Sequence, residues 1–363
     1  MARLSRAVAS PPQYFDKLMT KKIVYAVGFY PWKKRVLQIF RAGQKIIFRQ
    51  SPDQLPRGKP LEIATWGMLF GDEEFPAGSR ITRYEDGFIR SNGLGARFTP
   101  ALSWVADRRG IYYDATRPSD LEVMLQEEKF GDDLLLRARR LREKIVSSRL
   151  SKYNLGGEAW TKPAHSGRIL LVAGQVESDA SIQLGSSGVK TNLALLQRVR
   201  RDNPADYVVY KPHPDVAARV RRAGQDESSA ASYCDAVATG TNIHAMIEAV
   251  DEVHVNTSLA GFEAILRGKK VVTHGQPFYA GWGLTVDRDP PTRRGRQLSL
   301  DELVAGSLIR YPLYRSASSG QPCAVEQVVD ELARGLRGPR QSPIERLLAR
   351  LSGMAFWHRF CSS

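Results

Sequence analysis

Of the 363 residues, 42% are hydrophobic and 25% are charged, which is typical of a folded protein and argues against wholesale disorder. The length predicts two domains. No apolar run approaches the ~18 residues of a membrane-spanning helix, and we expect no secretory signal at the N-terminus. The net charge of +15 is carried by the ends of the chain, with +10 in residues 1–50 and +4 in residues 331–363, so the residues between them are close to neutral.

The basic ends indicate contact with a polyanion. Residues 344–360 (IERLLARLSGMAFWHRF) place apolar and aromatic side chains at helical spacing beside three arginines, the pattern of a basic amphipathic helix. Such a helix either lies on an anionic membrane surface, which we favour, or packs against the protein's own core. Nucleic acid is not expected as a partner, because no helix-turn-helix or RNP pattern supports it. Three widely spaced cysteines (Cys234, Cys323, Cys361) fit neither a disulfide framework nor a metal site and favour the cytoplasm.

The first part of the chain alternates short apolar runs with helical stretches. Its patterns predict strands at residues 22–29, 45–48, 61–67 and 82–88. Residues 119–150 predict a helix with Ser119 as its N-cap and a break near Gly131. The polar, glycine-containing residues 151–167 then read as a linker.

After this linker, strands and helices alternate more clearly. Strands are predicted at residues 168–176, 206–214, 251–258 and 269–275, and helices at 190–202, 241–250 and 259–268. Apolar strands alternating with helices indicate an α/β fold with parallel sheets. We therefore predict two doubly wound, Rossmann-like domains with a cleft between them. Their predicted ranges are 1–155 and 168–330, followed by the basic tail at 331–363. Ligands of such sheets bind at the carboxyl ends of the strands.

Two acidic clusters follow predicted strands. Glu85 and Asp86 are adjacent carboxylates before the turn at Gly87, and neighbouring acids can shift one another's pKa toward use as a general acid or base. Arg90 lies close enough to hold a substrate carboxylate. The alternative is a solvated turn with a local ion pair. In the second cluster, residues 174–181, Asp179 is either the N-cap of a helix or a carboxylate facing a ligand, and Gln175 precedes it.

Three further clusters could hold a nucleotide. Lys211 and His213 lie in a Lys-Pro-His-Pro sequence at a strand exit, which suits a phosphate. Thr257 and Ser258 precede a predicted helix whose N-terminus favours an anion, although Ser258 could equally be an ordinary N-cap, and Glu263 one turn later could accept from ribose hydroxyls. The glycines and aromatic residues at 275–283 either surround a base or sugar or form a stabilising turn.

Long ordered motifs across residues 60–315 resemble one known family. They are EDGFIRSNGLG, GIYYDATRPSDLE, GQVESDASIQLG, YKPHPDV, TSLAGFEAILRGKKVVTHGQPFYAGWGLTVD and LSLDELVAGSLIRYP. These look like the capsule polysaccharide biosynthesis proteins of the KpsC type, which are β-Kdo glycosyltransferases of the GT-B fold. The resemblance is nearest to the second of the two transferase modules in those proteins. This chain is too short for two modules, so we expect it to form one linkage and a separate Kdo transferase to supply the other.

The resemblance implies a CMP-β-Kdo donor, transfer with retention of configuration, and an acceptor that is a Kdo-bearing glycolipid at the cytoplasmic face of the inner membrane. By analogy with retaining glycosidases, Asp179 is assigned as nucleophile and Glu85 as acid/base, with Asp86 the less favoured alternative.

The remaining roles follow from the same resemblance. Lys211 and His213 would neutralise the CMP phosphate, Thr257 and Ser258 would bind it, Glu263 would hold the ribose, Gln175 would contact the nucleotide, and Arg90 would hold the Kdo carboxylate. No cofactor or metal is expected.

Two other functions remain open at this point. One is an inverting, sialyltransferase-like CMP-sugar transferase in which Asp179 is structural and Glu85 or Asp86 acts as base. The other is an inactive module that binds glycolipid or serves as a scaffold for capsule assembly.

Overall fold

A computed structural model describes residues 23–93, 99–217 and 224–338, and the chain divides into two compact units. The first unit comprises the described parts of residues 1–91, 98–106 and 312–363, and the second those of residues 92–97 and 107–311. The amphipathic sequence at 344–360 lies outside the described residues. Within the described part of the chain, no helix combines the length and hydropathy needed to cross a membrane.

The division of the chain differs from the predicted boundary between residues 155 and 168. Residues 107–155 belong to the second unit, and residues 312–330 return to the first. The return of residues 312–330 follows from a late strand, Pro312–Tyr314, that pairs antiparallel with Ser103–Asp107. Such pairing joins residues about two hundred positions apart, so a local sequence pattern cannot reveal it.

The first unit is built on one six-stranded sheet. Its strands are β1 (Val24–Val27), β2 (Ile46–Arg49), β3 (Glu62–Trp66), β4 (Arg80–Asp86), β5 (Ser103–Asp107) and β12 (Pro312–Tyr314), in the spatial order β12-β5-β4-β3-β1-β2. Strand β1 pairs in parallel with β2 and β3, and β3 with β4. Two α-helices accompany the sheet, α1 (Pro31–Phe40) and α10 (Val325–Ala333), with short 3₁₀ helices at Pro52–Gln54 and Asp72–Glu74.

A buried aromatic cluster fixes the carboxyl end of this sheet. The rings of Phe29, Tyr84 and Trp104 pack at centroid distances of 6.0–6.3 Å. Because side chains alternate along a strand, burying Tyr84 helps to hold Glu85, the next residue of β4, away from this core. The predicted acidic pair therefore lies at a rigid strand end.

Gly87 follows this strand where two backbone segments approach closely. Its N–H donates to the carbonyl oxygen of Ser103 at 2.9 Å, and an added Cβ would overlap the Ser103 hydroxyl and lie 2.8 Å from its Cβ. The site thus has no room for a side chain.

We expect Gly87→Ala to lower the free energy of unfolding by about 1–3 kcal/mol through overpacking, measured by urea denaturation. The control is Gly188→Ala, because a Cβ at Gly188 meets nothing within 4 Å. Equal stability of the two variants would contradict the close approach.

The second unit is built on a six-stranded parallel sheet. Its strands are β6 (Ile169–Ala173), β7 (Tyr207–Lys211), β8 (Ala236–Val237), β9 (Glu252–Val255), β10 (Lys270–Thr273) and β11 (Val286–Asp287), in the spatial order β11-β10-β9-β6-β7-β8. Each of the five pairings is parallel. This is the strand order of dinucleotide-binding folds, whose direction of travel switches between the first and fourth strands, here β6 and β9. A ligand is expected at that switch point.

The helices of the second unit include all those predicted from the sequence, together with three further α-helices at 180–185, 214–217 and 300–304. They are α2 (Asp120–Glu127), α3 (Asp132–Ser147), α4 (Ala180–Gly185), α5 (Asn192–Asp202), α6 (Pro214–Ala217), α7 (Ile243–Ala249), α8 (Leu259–Leu266) and α9 (Leu300–Val304), with a π-helical turn at Ala305–Arg310 and a 3₁₀ helix at Glu227–Ser232. Ser119 caps α2 by accepting from the Glu122 N–H, and the chain breaks before α3 at Gly131. The predicted α/β class with two mainly parallel sheets is confirmed.

Candidate active site

A cavity of about 270 Å³ opens at the carboxyl ends of β6, β7 and β9 in the second unit. Its volume approaches the ~300–1,000 Å³ of ligand pockets. Seven of the residues selected from the sequence line it: Gln175, Asp179, Lys211, His213, Thr257, Ser258 and Glu263. They come from segments spread over nearly ninety residues, and the sheet brings them together at the switch point.

Gln175 links the two sides of the switch point. Its Oε1 accepts from the Thr257 backbone N–H at 2.8 Å, and its Nε2 lies 3.0 Å from the Thr257 hydroxyl oxygen as donor. Gln175 follows β6 and Thr257 follows β9. The side chain therefore fixes Thr257 beside the cavity.

The sequence resemblance implies a CMP-containing ligand, and on that expectation Gln175→Ala weakens CMP binding about tenfold, because it leaves the Thr257 N–H without its partner and loosens the loop after β9. Isothermal titration with CMP measures the loss. The control is Gln183→Ala, which removes an exposed glutamine bonded to the Glu177 carbonyl. Unchanged affinity in Gln175→Ala would contradict this role.

Lys211 and His213 place basic groups on the cavity wall. Lys211 Nζ donates to the carbonyl oxygen of Thr241 at 2.7 Å, and burial lowers its pKa. His213 Nδ1 accepts from the Asp215 N–H at 3.2 Å, so the neutral ring carries its proton on Nε2. An ammonium and an imidazole N–H suit an anionic oxygen.

The first turn of α8 supplies the next part of the wall. Ser258 Oγ accepts from the Ala260 N–H at 3.3 Å, so Ser258 is an N-cap as well as a cavity residue. Glu263 is buried, and its Oε1 accepts from the Lys152 N–H at 2.8 Å. Burial raises the pKa of Glu263.

Asp179 occupies the N-cap position of α4, but its side chain makes no capping hydrogen bond. Asp179 is also one of the residues that line the cavity. Asp179 therefore lies at the start of the helix, as one interpretation of the sequence had it, but its side chain does not cap the helix with a hydrogen bond.

Three stretches of the cavity wall lie outside the residues selected from the sequence, at 112–113, 151–156 and 239–243. Residues 151–156, predicted as linker, line it through Ser151, Lys152 and Tyr153 among others. Tyr112 and Tyr113 also line it, and the Tyr112 ring lies 5.9 Å from that of Phe278. The consecutive tyrosines in the GIYYDATRPSDLE motif were the signal that could have identified them.

The residues at 275–283 divide between the cavity wall and the buried interior. Pro277 and Phe278 line the cavity, whereas Trp282 and Tyr279 are fully buried. The Tyr279 hydroxyl donates to the carbonyl oxygen of Ser258. These buried rings therefore brace the start of α8.

The other three selected residues lie in the first unit. Glu85 and Asp86 end β4, and Glu85 Oε1 accepts from the Asp86 N–H at 2.8 Å. Arg90 is buried and forms an ion pair with Asp86, with Nε 2.6 Å from Oδ2. The local ion pair envisaged from the sequence is thus present for Asp86.

Within the described residues, no group of three or more histidine, cysteine, aspartate or glutamate side chains is arranged to hold a metal ion.

Residues 76–316 match the family model described as capsule polysaccharide biosynthesis protein. The chain belongs to this family. The resemblance noted from the sequence is confirmed.

Curated relatives in the capsule family include LipA of Neisseria meningitidis serogroup B, a capsule polysaccharide modification protein. It is 41% identical over 330 residues, covering 88% of this chain and 46% of LipA. The lipopolysaccharide-processing protein LpsZ of Rhizobium meliloti is 37% identical over 337 residues, covering 88% of this chain and 77% of LpsZ. The chain therefore spans about half the length of LipA.

Two solved structures of Thermosulfurimonas dismutans KpsC share the fold. The one titled β-Kdo 2,7 transferase has a TM-score of 0.72 and 39% identity, covering 86% of this chain and 99% of the other. The one titled β-Kdo 2,4 transferase has a TM-score of 0.73 and 28% identity, covering 87% and 99%.

Proposed function

We propose that the protein is a retaining glycosyltransferase that moves Kdo, an acidic sugar, from CMP-β-Kdo to a Kdo-terminated glycolipid during capsule synthesis. The cavity at the switch point of the second unit is the observation that carries the proposal. It combines basic groups, a helix N-terminus and carboxylates, which suit the phosphate, ribose and anomeric centre of a sugar nucleotide. The 39% identity with a β-Kdo 2,7 transferase supports the choice of sugar.

In this proposal the second unit binds the donor. Lys211 and the Nε2–H of His213 neutralise the CMP phosphate, and Thr257, Ser258 and the start of α8 donate hydrogen bonds to it. Glu263 accepts from the ribose hydroxyls. No metal and no cofactor take part, because these protein groups supply the positive charge.

Retention requires two inversions at the anomeric carbon. In the first, an Asp179 oxygen bonds to that carbon while the bond to the phosphate oxygen breaks, and CMP leaves with the electron pair. In the second, the acceptor hydroxyl displaces Asp179, and Glu85 takes the hydroxyl proton. Asp86 is the less favoured base because its carboxylate already pairs with Arg90.

The comparison with the two KpsC structures also favours one position of the linkage between Kdo residues. The two KpsC chains have nearly equal TM-scores, but the identity is 39% with the 2,7 transferase and 28% with the 2,4 transferase. We extend the proposal to transfer onto the 7-hydroxyl. A separate Kdo transferase would then supply the other linkage.

We further propose that the enzyme works at the cytoplasmic face of the inner membrane, where its glycolipid acceptor lies. The basic charge at both ends of the sequence supports attraction to anionic lipid, at about 1 kcal/mol for each basic residue near the surface.

A transfer assay tests the proposal. The protein is incubated with CMP-Kdo, generated in situ, and a synthetic acceptor ending in β-Kdo, and the products are analysed by mass spectrometry and NMR. One added Kdo in β-2,7 linkage is expected. An α product would favour the inverting mechanism instead. No transfer, with CMP still raising the melting temperature, would leave the donor site standing and point to a wrong acceptor or a missing partner.

A further inference from the structure

Lys33 is a cation at the carboxyl end of the first unit's sheet. It lies in the first turn of α1, which follows β1, and its Nζ is 2.7 Å from the centroid of the Trp66 ring. Trp66 is the last residue of β3, and Glu85 and Asp86 end the neighbouring β4. A cation over an indole face is held electrostatically, so Trp66 fixes the ammonium at this edge.

The ammonium has unused donors. Over residues 23–93, 99–217 and 224–338, Lys33 Nζ makes this ring contact but neither a hydrogen bond nor an ion pair with another residue. An ammonium carries three N–H donors. Lys33 is partly buried, and an ammonium without a hydrogen-bond acceptor in such a position is suited to an incoming acceptor oxygen.

Arg90, the cation that the sequence suggested for a sugar carboxylate, is already engaged. Its Nε pairs with Asp86, and its Nη1 donates to the Ser91 hydroxyl at 2.9 Å and to the Thr99 carbonyl oxygen at 3.1 Å. Arg90 therefore holds the turn after β4, whereas the Lys33 ammonium keeps capacity for a ligand.

The start of α1 adds to the preference for an anion. The first turn contains no acidic residue, and Tyr30 at the N-cap position makes no side-chain capping bond. A helix N-terminus carries partial positive charge, which adds to the charge of the Lys33 ammonium and favours an anion here beside the carboxylates of Asp86 and Glu85.

We infer that the Lys33 ammonium binds the carboxylate of an acidic sugar substrate. The inference rests on the proposed function, in which both donor and acceptor sugars carry a carboxylate. We assign the acceptor sugar as the source, because the donor groups of the proposal are gathered in the second unit.

The ionisation of Lys33 makes this contact dependent on pH. Burial lowers the pKa of Lys33 to about 8, and the Arg90 charge acts in the same direction, whereas the carboxylates of Asp86 and Glu85 oppose it. Because the ammonium is lost as pH rises through this value, carboxylate binding should weaken above about pH 8. Lys33→Arg, which stays charged, should bind without that weakening.

The test compares two acceptors that differ only in the terminal group, a Kdo carboxylate or its carboxamide. The wild type should prefer the carboxylate by about 10- to 100-fold in acceptor KM, as expected of a charge-assisted hydrogen bond. Lys33→Gln should lose that preference. Lys34→Gln is the matched control, because its neighbouring ammonium lies over Phe48, 5.2 Å from the ring centroid.

The variants also separate the two sources of the carboxylate. If Lys33→Gln instead raises the KM for CMP-Kdo in hydrolysis, the bound carboxylate belongs to the donor sugar. Equal preference for carboxylate and carboxamide in the wild type, with an unchanged donor KM in Lys33→Gln, would overturn the inference.

Failure of the proposed function is recognised separately, as absence of transfer by the wild type with every acceptor. Calorimetry with methyl β-Kdo glycoside and its carboxamide then decides the inference. Binding of the carboxylate that is lost in Lys33→Gln supports it, and the absence of such binding overturns it.

Discussion

Asp179→Asn is expected to reduce Kdo transfer by about a thousandfold or more while CMP still binds. The asparagine keeps the shape of the side chain on the cavity wall but cannot form the glycosyl ester, so the first inversion has no nucleophile. Initial rates with CMP-Kdo and a β-Kdo acceptor measure the loss, and the rise in melting temperature with CMP reports donor binding. Asp133→Asn, at an exposed position in α3, serves as the control.

Glu85→Gln provides an independent arm of the same experiment. Loss of the base should slow the second inversion by about 10²–10⁴-fold. A peptide containing Asp179 should then carry the mass of one Kdo residue. Full activity of Asp179→Asn, or an α-linked product, would contradict the nucleophile and return the mechanism to the inverting alternative.

Glu122→Ala is expected to lower the free energy of unfolding by about 3–5 kcal/mol, because it leaves a buried arginine without its counter-charge. Glu122 Oε2 lies 2.9 Å from Arg294 Nε, and both side chains are less than a tenth exposed. Arg294 also donates to the carbonyl oxygens of Pro277 and Ala280, so the pair braces a loop that lines the cavity. CMP affinity should fall as well.

Urea denaturation measures this effect, and an exposed ion pair provides the control. Glu248→Ala removes the partner of Arg149, with side chains 42% and 74% exposed, and should cost no more than about 1 kcal/mol. If both variants lose the same small amount, the Glu122–Arg294 pair does not stabilise the unit as inferred.

The sequence predicted the strands of the second unit well because each is a short apolar run in a parallel sheet. The run ILLVA at 169–173 is buried at every position, and polar residues follow it directly. Ligands of parallel sheets bind at the carboxyl ends of the strands, so the seven cavity residues could be selected without a structure because they follow such runs. The hydrogen bonds between these residues could not be predicted, because Gln175 and Thr257 are 82 positions apart.

Neither Lys33 nor the Glu122–Arg294 pair could be identified from the sequence. A pair of lysines next to a strand is typical of a solvated surface, and only the structure places one ammonium over the Trp66 ring. Glu122 and Arg294 are separated by 172 positions and read individually as ordinary surface charges. Contacts between residues far apart in the sequence determine the surroundings of Lys33 and of the Glu122–Arg294 pair.

The return of residues 312–314 to the first sheet has a consequence for synthesis on the ribosome. The second unit's main segment, residues 107–311, is complete before β12 has left the exit tunnel, whereas the first unit still lacks an edge strand. Domains usually fold from the N-terminus onward as they emerge. Here the first unit begins to be synthesised before the second but is completed after it. A nascent chain would therefore expose the unpaired edge of β5 until translation passes Tyr314.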